Sequence, residues 1–364
     1  MKLFAEKINR LNLLPVIVAV MIILISSFIE KPENQVQTKY TVSFEEFKTG
    51  ITASLRAISV VDESVVWASG SGGTFLFTTD GGKTWKCDTI PGEKRNDFRS
   101  IHAWDKNRAM VFGIGSPGRG FLTSDGGKTW KKIYENDTRG IFFNSLKFSD
   151  NYNGIALSDP VDDRSFIIKT SDGGITWTRL LNIPPVNTGE GNFAASNTCI
   201  DYRSSGNAWI ITGAGSARVF YTVNHGAEWR VTETPIIHDT PASGIFSVSF
   251  LDDKTGVIVG GTYDKMELNK NIAAFSSDGG ETWIASLTMP AGFRSCTVWL
   301  KEKKQDIVFA IGPTGSDYST DFGKTWIYSG ENGYHTMMPV RGKSTGFAAG
   351  SDGRIAKFTF IRNR

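Results

Sequence analysis

One eight-residue string recurs along this 364-residue chain and leaves little choice of architecture. It reads Thr78-Thr-Asp-Gly-Gly-Lys-Thr-Trp85, Thr123-Ser-Asp-Gly-Gly-Lys-Thr-Trp130 and Thr170-Ser-Asp-Gly-Gly-Ile-Thr-Trp177. It returns as Ser276-Ser-Asp-Gly-Gly-Glu-Thr-Trp283 and Ser319-Thr-Asp-Phe-Gly-Lys-Thr-Trp326. A degenerate copy, Thr222-Val-Asn-His-Gly-Ala-Glu-Trp229, puts Asn224 in place of the Asp and Glu228 in place of the inner Thr. The third positions (80, 125, 172, 224, 278 and 321) stand 43 to 54 residues apart, which is the length of one four-stranded propeller blade.

Each residue of the string has a mechanical use. Asp80, Asp125, Asp172, Asn224, Asp278 and Asp321 can accept bonds from backbone N–H groups of their own turns. The glycines permit positive φ where the chain reverses. Trp85, Trp130, Trp177, Trp229, Trp283 and Trp326 are large apolar plugs between neighbouring sheets. These twelve residues therefore read as structural fasteners of hairpins.

A seventh unit follows from Phe347-Ala-Ala-Gly-Ser-Asp-Gly-Arg-Ile-Ala-Lys-Phe358, which repeats the pattern of Trp67-Ala-Ser-Gly-Ser-Gly-Gly-Thr-Phe-Leu-Phe-Thr78. It places Phe360 at the fastener position and leaves the last blade without an outer strand. Tyr40–Phe47, ahead of the first blade, is the natural donor of that strand and would cover a raw sheet edge. A typical blade reads as strand A (100–104), strand B (109–112), strand C (120–123), the fastener and strand D (130–134). The expected fold is all-β: a single seven-bladed β-propeller of four-stranded antiparallel blades over residues 36–364, closed by an N-terminal clasp strand. A composition of 39 Gly and 12% aromatic residues fits Gly-rich turns between short aromatic strands.

Residues 1–35 are of another kind. Lys2, Lys7 and Arg10 precede an apolar run from Leu13 to Ile25, which reads as an export signal or an N-terminal membrane anchor. The run is short against the roughly 20 apolar residues of a comfortable span, so cleavage and retention both stay open. The expected location is extracytoplasmic: periplasmic or secreted, or anchored to the inner membrane. Cys87, Cys199 and Cys296 are widely separated and lack metal-ligand spacing, so they read as small buried hydrophobes, with neither a zinc site nor a disulfide framework. The net charge of +3 and the absence of basic runs argue against nucleic acid. The four histidines are scattered, and Gly113-Ile-Gly-Ser-Pro-Gly118 lacks a following helix, so no metal, nucleotide or other cofactor is expected.

The S/T-x-D-x-G-x-T-W strings match the bacterial-neuraminidase repeat, or Asp-box, of sialidases and sortilin-like receptors. In the form seen here, preceded by segments such as Val66-Trp-Ala-Ser-Gly70, the chain resembles the photosystem II stability/assembly-factor group of exported proteins. That resemblance covers nearly the whole mature chain and implies an extracytoplasmic seven-bladed propeller that binds protein partners. Sialidase-type members imply glycan hydrolysis instead, but no Arg-Ile-Pro element precedes the first string, and the chain is too short for the two-propeller xyloglucanases.

Function should sit where the D–A and B–C loops surround the channel mouth, opposite the fasteners. Aligning the lead-in to strand A across blades gives Leu55-Arg-Ala-Ile58, Phe98-Arg-Ser-Ile101, Phe143-Asn-Ser-Leu146, Phe193-Ala-Ala-Ser196, Ile245-Phe-Ser-Val248, Phe293-Arg-Ser-Cys296 and Tyr334-His-Thr-Met337. Arg294, His335, Arg56, Arg99 and Asn144 then form a polar, mostly cationic arc over blades 6, 7, 1, 2 and 3. With Arg218 from a B–C loop they could bind an anionic group, or they could simply brace the ring. Asp159, Glu190 and Asp317 could supply the two carboxylates of a glycosidase, with Tyr318 as an alternative nucleophile or acid. Two functions remain open. One is a monomeric binding module or assembly factor taking a protein partner or anionic glycan at the mouth. The other is a glycoside hydrolase or polysaccharide lyase using the same face.

Overall fold

Alternating apolar and small residues in short runs, punctuated by Gly-rich turns, give strands and no helix among the described residues. In the computed structural model, which describes residues 39–363, 28 strands assemble into seven four-stranded antiparallel sheets. Blades 1 to 6 are consecutive meanders starting at Leu55, Ser100, Phe143, Ile200, Ser243 and Cys296. Every A strand contacts the A strand of the next blade, and that of blade 7 (Thr336–Pro339) contacts that of blade 1 (Leu55–Val60), so the ring is closed. The A, B and C strands carry the buried side chains, whereas D strands such as Lys86–Thr89 and Lys131–Asn136 lie mostly at the surface.

Blade 7 is completed by the clasp. Tyr40–Phe47 pairs antiparallel with Ile355–Arg362 over eight residue pairs, from Tyr40 opposite Arg362 to Phe47 opposite Ile355. Alternation puts Tyr40, Val42 and Phe44 on the inner face, where Phe44 stacks on Tyr334 at 5.5 Å and Tyr40 meets the edges of Tyr318 and Phe360. Further along the same face, Glu46 accepts bonds from the Tyr334 hydroxyl at 2.8 Å and Arg354 Nη2 at 2.6 Å. The edge that a raw seventh blade would expose is thereby paired.

The fastener strings form one recurring turn. In blade 3, Asp172 Oδ1 accepts from the Thr170 hydroxyl at 2.8 Å and the Thr176 amide at 3.0 Å, and Oδ2 accepts from the Thr176 hydroxyl at 2.6 Å. In the degenerate string Glu228 replaces that second Thr, and Asn224 keeps only the Thr222 hydroxyl and Glu228 amide contacts. The residue after the Asp lies at positive φ; where Gly is replaced, His225 (φ 56°) and Phe322 (φ 64°) adopt the same left-handed conformation. The tryptophans reach neighbouring blades: Trp130 meets Phe75 edge-on at 5.0 Å, and Trp177 meets Phe112 at 5.2 Å.

Blade 4 departs from the repeat. Its A strand is only Ile200–Tyr202, and residues 193–199 before it run across the ring axis instead of continuing the sheet. Asn197 donates to the Ile101 carbonyl of blade 2 at 3.0 Å and accepts from the Leu146 amide of blade 3 at 2.8 Å. Ser196 donates to the Ser295 carbonyl of blade 6, and its own carbonyl accepts from Thr336 of blade 7. Thr198 bonds Ser247 of blade 5 at 2.7 Å. One short segment is therefore bonded to the inner strands of five other blades and plugs the channel. The alignment of Phe193-Ala-Ala-Ser196 with the other lead-ins is corrected accordingly.

Candidate functional site

The plug turns one channel mouth into a blind cavity of about 470 Å³, floored by Ala194 and Ala195 and ringed by D–A and B–C loops. Three β-bulges lie at its rim, and two of them, at Arg56 and Phe246, put side chains on its wall. The register between strands A and B slips at Arg56 in blade 1, Asn144 in blade 3 and Phe246 in blade 5. A bulge re-aims the extra residue out of the pleat, so the second lead-in position is special for a geometric reason.

Three walls differ in chemistry. The first carries Arg56, Arg99 and His335 from blades 1, 2 and 7. Arg99 bonds Asp97 Oδ2 at 2.9 Å and the Ala194 carbonyl at 3.1 Å, so it also holds the plug. Arg56 has one side-chain bond, to Ser54 Oγ at 3.3 Å, and forms no ion pair among the described residues. Burial and the adjacent Arg99 charge pull its guanidinium below the ordinary value. The cationic arc loses one member here: His335 is neutral at ordinary pH, because burial and the charges of Arg56 and Arg99 push its imidazole down to about 3.

The second wall is aromatic. Phe193 and Phe246 stack at 3.9 Å, Phe293 meets Phe246 edge-on at 4.6 Å, and Tyr263 closes over both with Met266 beside it. The polar-arc reading of the sequence passed over this wall. Its signal was present as Phe193, Phe246 and Phe293 in the lead-ins of blades 4 to 6.

The third wall belongs to blade 3. Asp159 Oδ1 accepts from Asn144 Nδ2 at 3.1 Å and the Asn192 amide at 3.2 Å. Burial pushes its carboxyl up to about 6, against those two hydrogen bonds. It is the only carboxylate among the residues lining the cavity.

The remaining sequence candidates lie elsewhere. The Arg294 amide bonds the Gly260 carbonyl of blade 5, just as Leu55 bonds Gly350 and Phe98 bonds Gly70. Arg294 is therefore equivalent to Leu55 and Phe98, one residue out of the aligned register, and Ser295 takes the mouth position. Its side chain is 1% exposed and ion-paired with Asp317 at 2.6 Å, and Asp317 also accepts from the Ala291 amide. Glu190 is fully enclosed: it pairs with Arg218 and accepts from the Thr212 hydroxyl at 2.5 Å and the Asn187 amide at 2.6 Å. Both pairs brace loops, as a buried carboxylate must be paired to be tolerated. Tyr318 is fully buried, its hydroxyl accepting from the Tyr40 amide of the clasp. Asp159 and Glu190 thus line one cleft beside the mouth, whereas Asp317 and Tyr318 lie apart from it.

No family model and no curated protein matches this chain. Solved structures do. YCF48 bound to a D1 peptide aligns with TM-score 0.59 at 17% identity, covering 88% of this chain and 95% of that one. YCF48 from Cyanidioschyzon merolae aligns with TM-score 0.60 at 20% identity, covering 87% and 99%. The WD40 β-propeller domain of Doa1 aligns with TM-score 0.58 at 13% identity, covering 88% and 97%. Identities this low establish the shared fold.

Proposed function

We propose that this chain is a binding propeller that captures a segment of a protein partner in the mouth cavity, with an anionic group of the partner on Arg56 and Arg99 and an apolar side chain on the aromatic wall. The observation that carries this reading is the junction of an unpaired guanidinium with a stacked aromatic surface above a closed floor. Arg presents a planar fork suited to carboxylates, and aromatic rings supply large rigid contact area. A propeller of the same fold has been solved with a peptide bound, which supports a peptide as the class of ligand. The charged segment and apolar run before residue 35 support placing this activity outside the cytoplasm, with or without a membrane tether.

A glycan-active enzyme remains the second reading because Asp159, raised to about 6, has the character of a general acid. Two-carboxylate hydrolysis needs a second acid; the mouth lining offers none, and in the adjoining cleft that Asp159 also lines, Glu190 is taken by Arg218 while Asp162 and Asp163 lie exposed in a turn. The test is a fluorescence-anisotropy screen of the purified protein against hexapeptides that combine one acidic and one aromatic residue. A parallel incubation with acidic oligosaccharides would include product detection. Peptide binding without sugar turnover is expected; turnover without peptide binding would reverse the assignment.

A further inference from the structure

The blade 3 wall contains more acceptors than the fold uses. Asp159 Oδ2 accepts no bond among the described residues, since both of its partners bond Oδ1. On either side, Asn144 Oδ1 and Asn192 Oδ1 are buried and unpartnered among the described residues, on side chains whose amide nitrogens are already committed. Asn144 is wholly buried and Asn192 is 8% exposed. The two Asn oxygens lie beneath the cavity surface, so Asp159 Oδ2 is the acceptor that a donor from outside can reach. Neither Arg56 nor Arg99 offsets the cost of burying Asp159, so the cationic wall leaves this carboxyl uncompensated. The nearby Glu190 is consumed by Arg218.

A protonated primary amine offers three N–H donors and one positive charge on a compact head. We propose that Asp159, flanked by Asn144 and Asn192, is a second pole of the mouth cavity that receives the ammonium of the bound partner, from a lysine side chain or a chain N-terminus. This inference rests on the mouth being the binding site. It makes the preferred ligand bipolar: an anionic group on Arg56 and Arg99, an apolar side chain on the aromatic wall, and an ammonium on blade 3.

The test follows the Asp159 carboxyl by 13C NMR in the full chain, with the resonance assigned by its loss in Asp159→Asn. The probes are n-propylammonium, 1-propanol and acetate. A cation that binds only the ionised carboxyl lowers its midpoint, by about one pH unit at ten times the dissociation constant. The expected result is such a fall with propylammonium, no fall with 1-propanol, and no propylammonium binding to Asp159→Asn. Competition by N-acetyl-lysine amide or by glycinamide then distinguishes a side-chain from a terminal source. If propylammonium leaves the midpoint unmoved while acetate still perturbs the Arg56 side-chain resonances, the second pole is refuted and the mouth survives. If neither probe has an effect, the mouth reading itself fails. An equal response to 1-propanol would overturn the ammonium in favour of hydroxyl donors, the chemistry of a sugar.

Discussion

Asp172 and the aspartates at 80, 125, 278 and 321 occupy both carboxylate oxygens in holding their own turns, which leaves little for ligand chemistry. Asp172→Ala should cost about 1–3 kcal/mol of stability by orphaning those donors. Peptide affinity should stay at the wild-type value in an anisotropy titration. The same scale governs pH dependence. Hydrogen bonds to neighbouring threonines and amides hold Asp80 and Asp125 down at about 2, so their contribution to stability is present above pH 4 and is lost as pH falls towards 2. His102, packed between Trp104 and Phe148, and His335 are both depressed to about 3, chiefly by burial. The unfolded chain binds protons that these folded imidazoles refuse, so stability falls as pH drops from 6.5 to 3. Asp159 has the opposite sign, since its raised carboxyl favours the folded state as pH falls from 6 to 4. The melting temperature should decline between pH 6.5 and 4.5. His335→Gln should flatten that decline, and an unchanged slope would show that His335 is not held neutral.

Two irregular elements give this ring its character. The plug hangs on Asn197, whose left-handed backbone (φ 62°) and three side-chain contacts tie blades 2 and 3 to the channel centre. Asn197→Ala should destabilise by about 2–4 kcal/mol, summing lost bonds and the αL cost of a Cβ residue. Asn197→Gly should recover only the backbone part, as calorimetry can resolve. For the clasp, deleting residues 36–48 uncovers strand Ile355–Arg362 and removes Phe44 and Glu46 from Tyr334. Aggregation or a markedly lower melting temperature is expected, and a monomer of undiminished stability would contradict the role assigned to it. The clasp was readable because the last blade visibly lacked a D strand. The plug was not: its partners Ile101, Leu146, Ser247, Ser295 and Thr336 are distant in sequence and follow no repeat.

At the scale of the whole molecule, the period of the fastener strings reports blade number, and closure follows from the contact of blade 7 with blade 1. The mouth was only half legible. Arg56, Arg99 and His335 were placed correctly because their blades keep the repeat's register. Arg294 was misplaced because the blade 6 lead-in is offset by one residue, and one residue reverses the face a side chain occupies. The pairs Arg294–Asp317 and Arg218–Glu190 join residues whose ion pairing no local pattern announces. The arginines therefore divide by use: Arg294 and Arg218 brace, Arg99 braces the plug and faces the cavity, and Arg56 is the anion anchor of the proposed site.

That division is tested most directly by measuring melting temperature and peptide affinity on Arg56→Ala and Arg294→Ala, using the tightest peptide from the anisotropy screen. Arg56→Ala should weaken binding by about 1.5–3 kcal/mol, the range for a hydrogen bond to a charged group, with almost no change in melting temperature. Wild-type affinity should also fall as salt rises, because a charge at an open mouth is screened. Arg294→Ala should lower the melting temperature sharply by leaving Asp317 buried and unpaired, with affinity in the folded fraction preserved. Full affinity in Arg56→Ala, combined with a large melting shift, would contradict a binding mouth anchored on that residue.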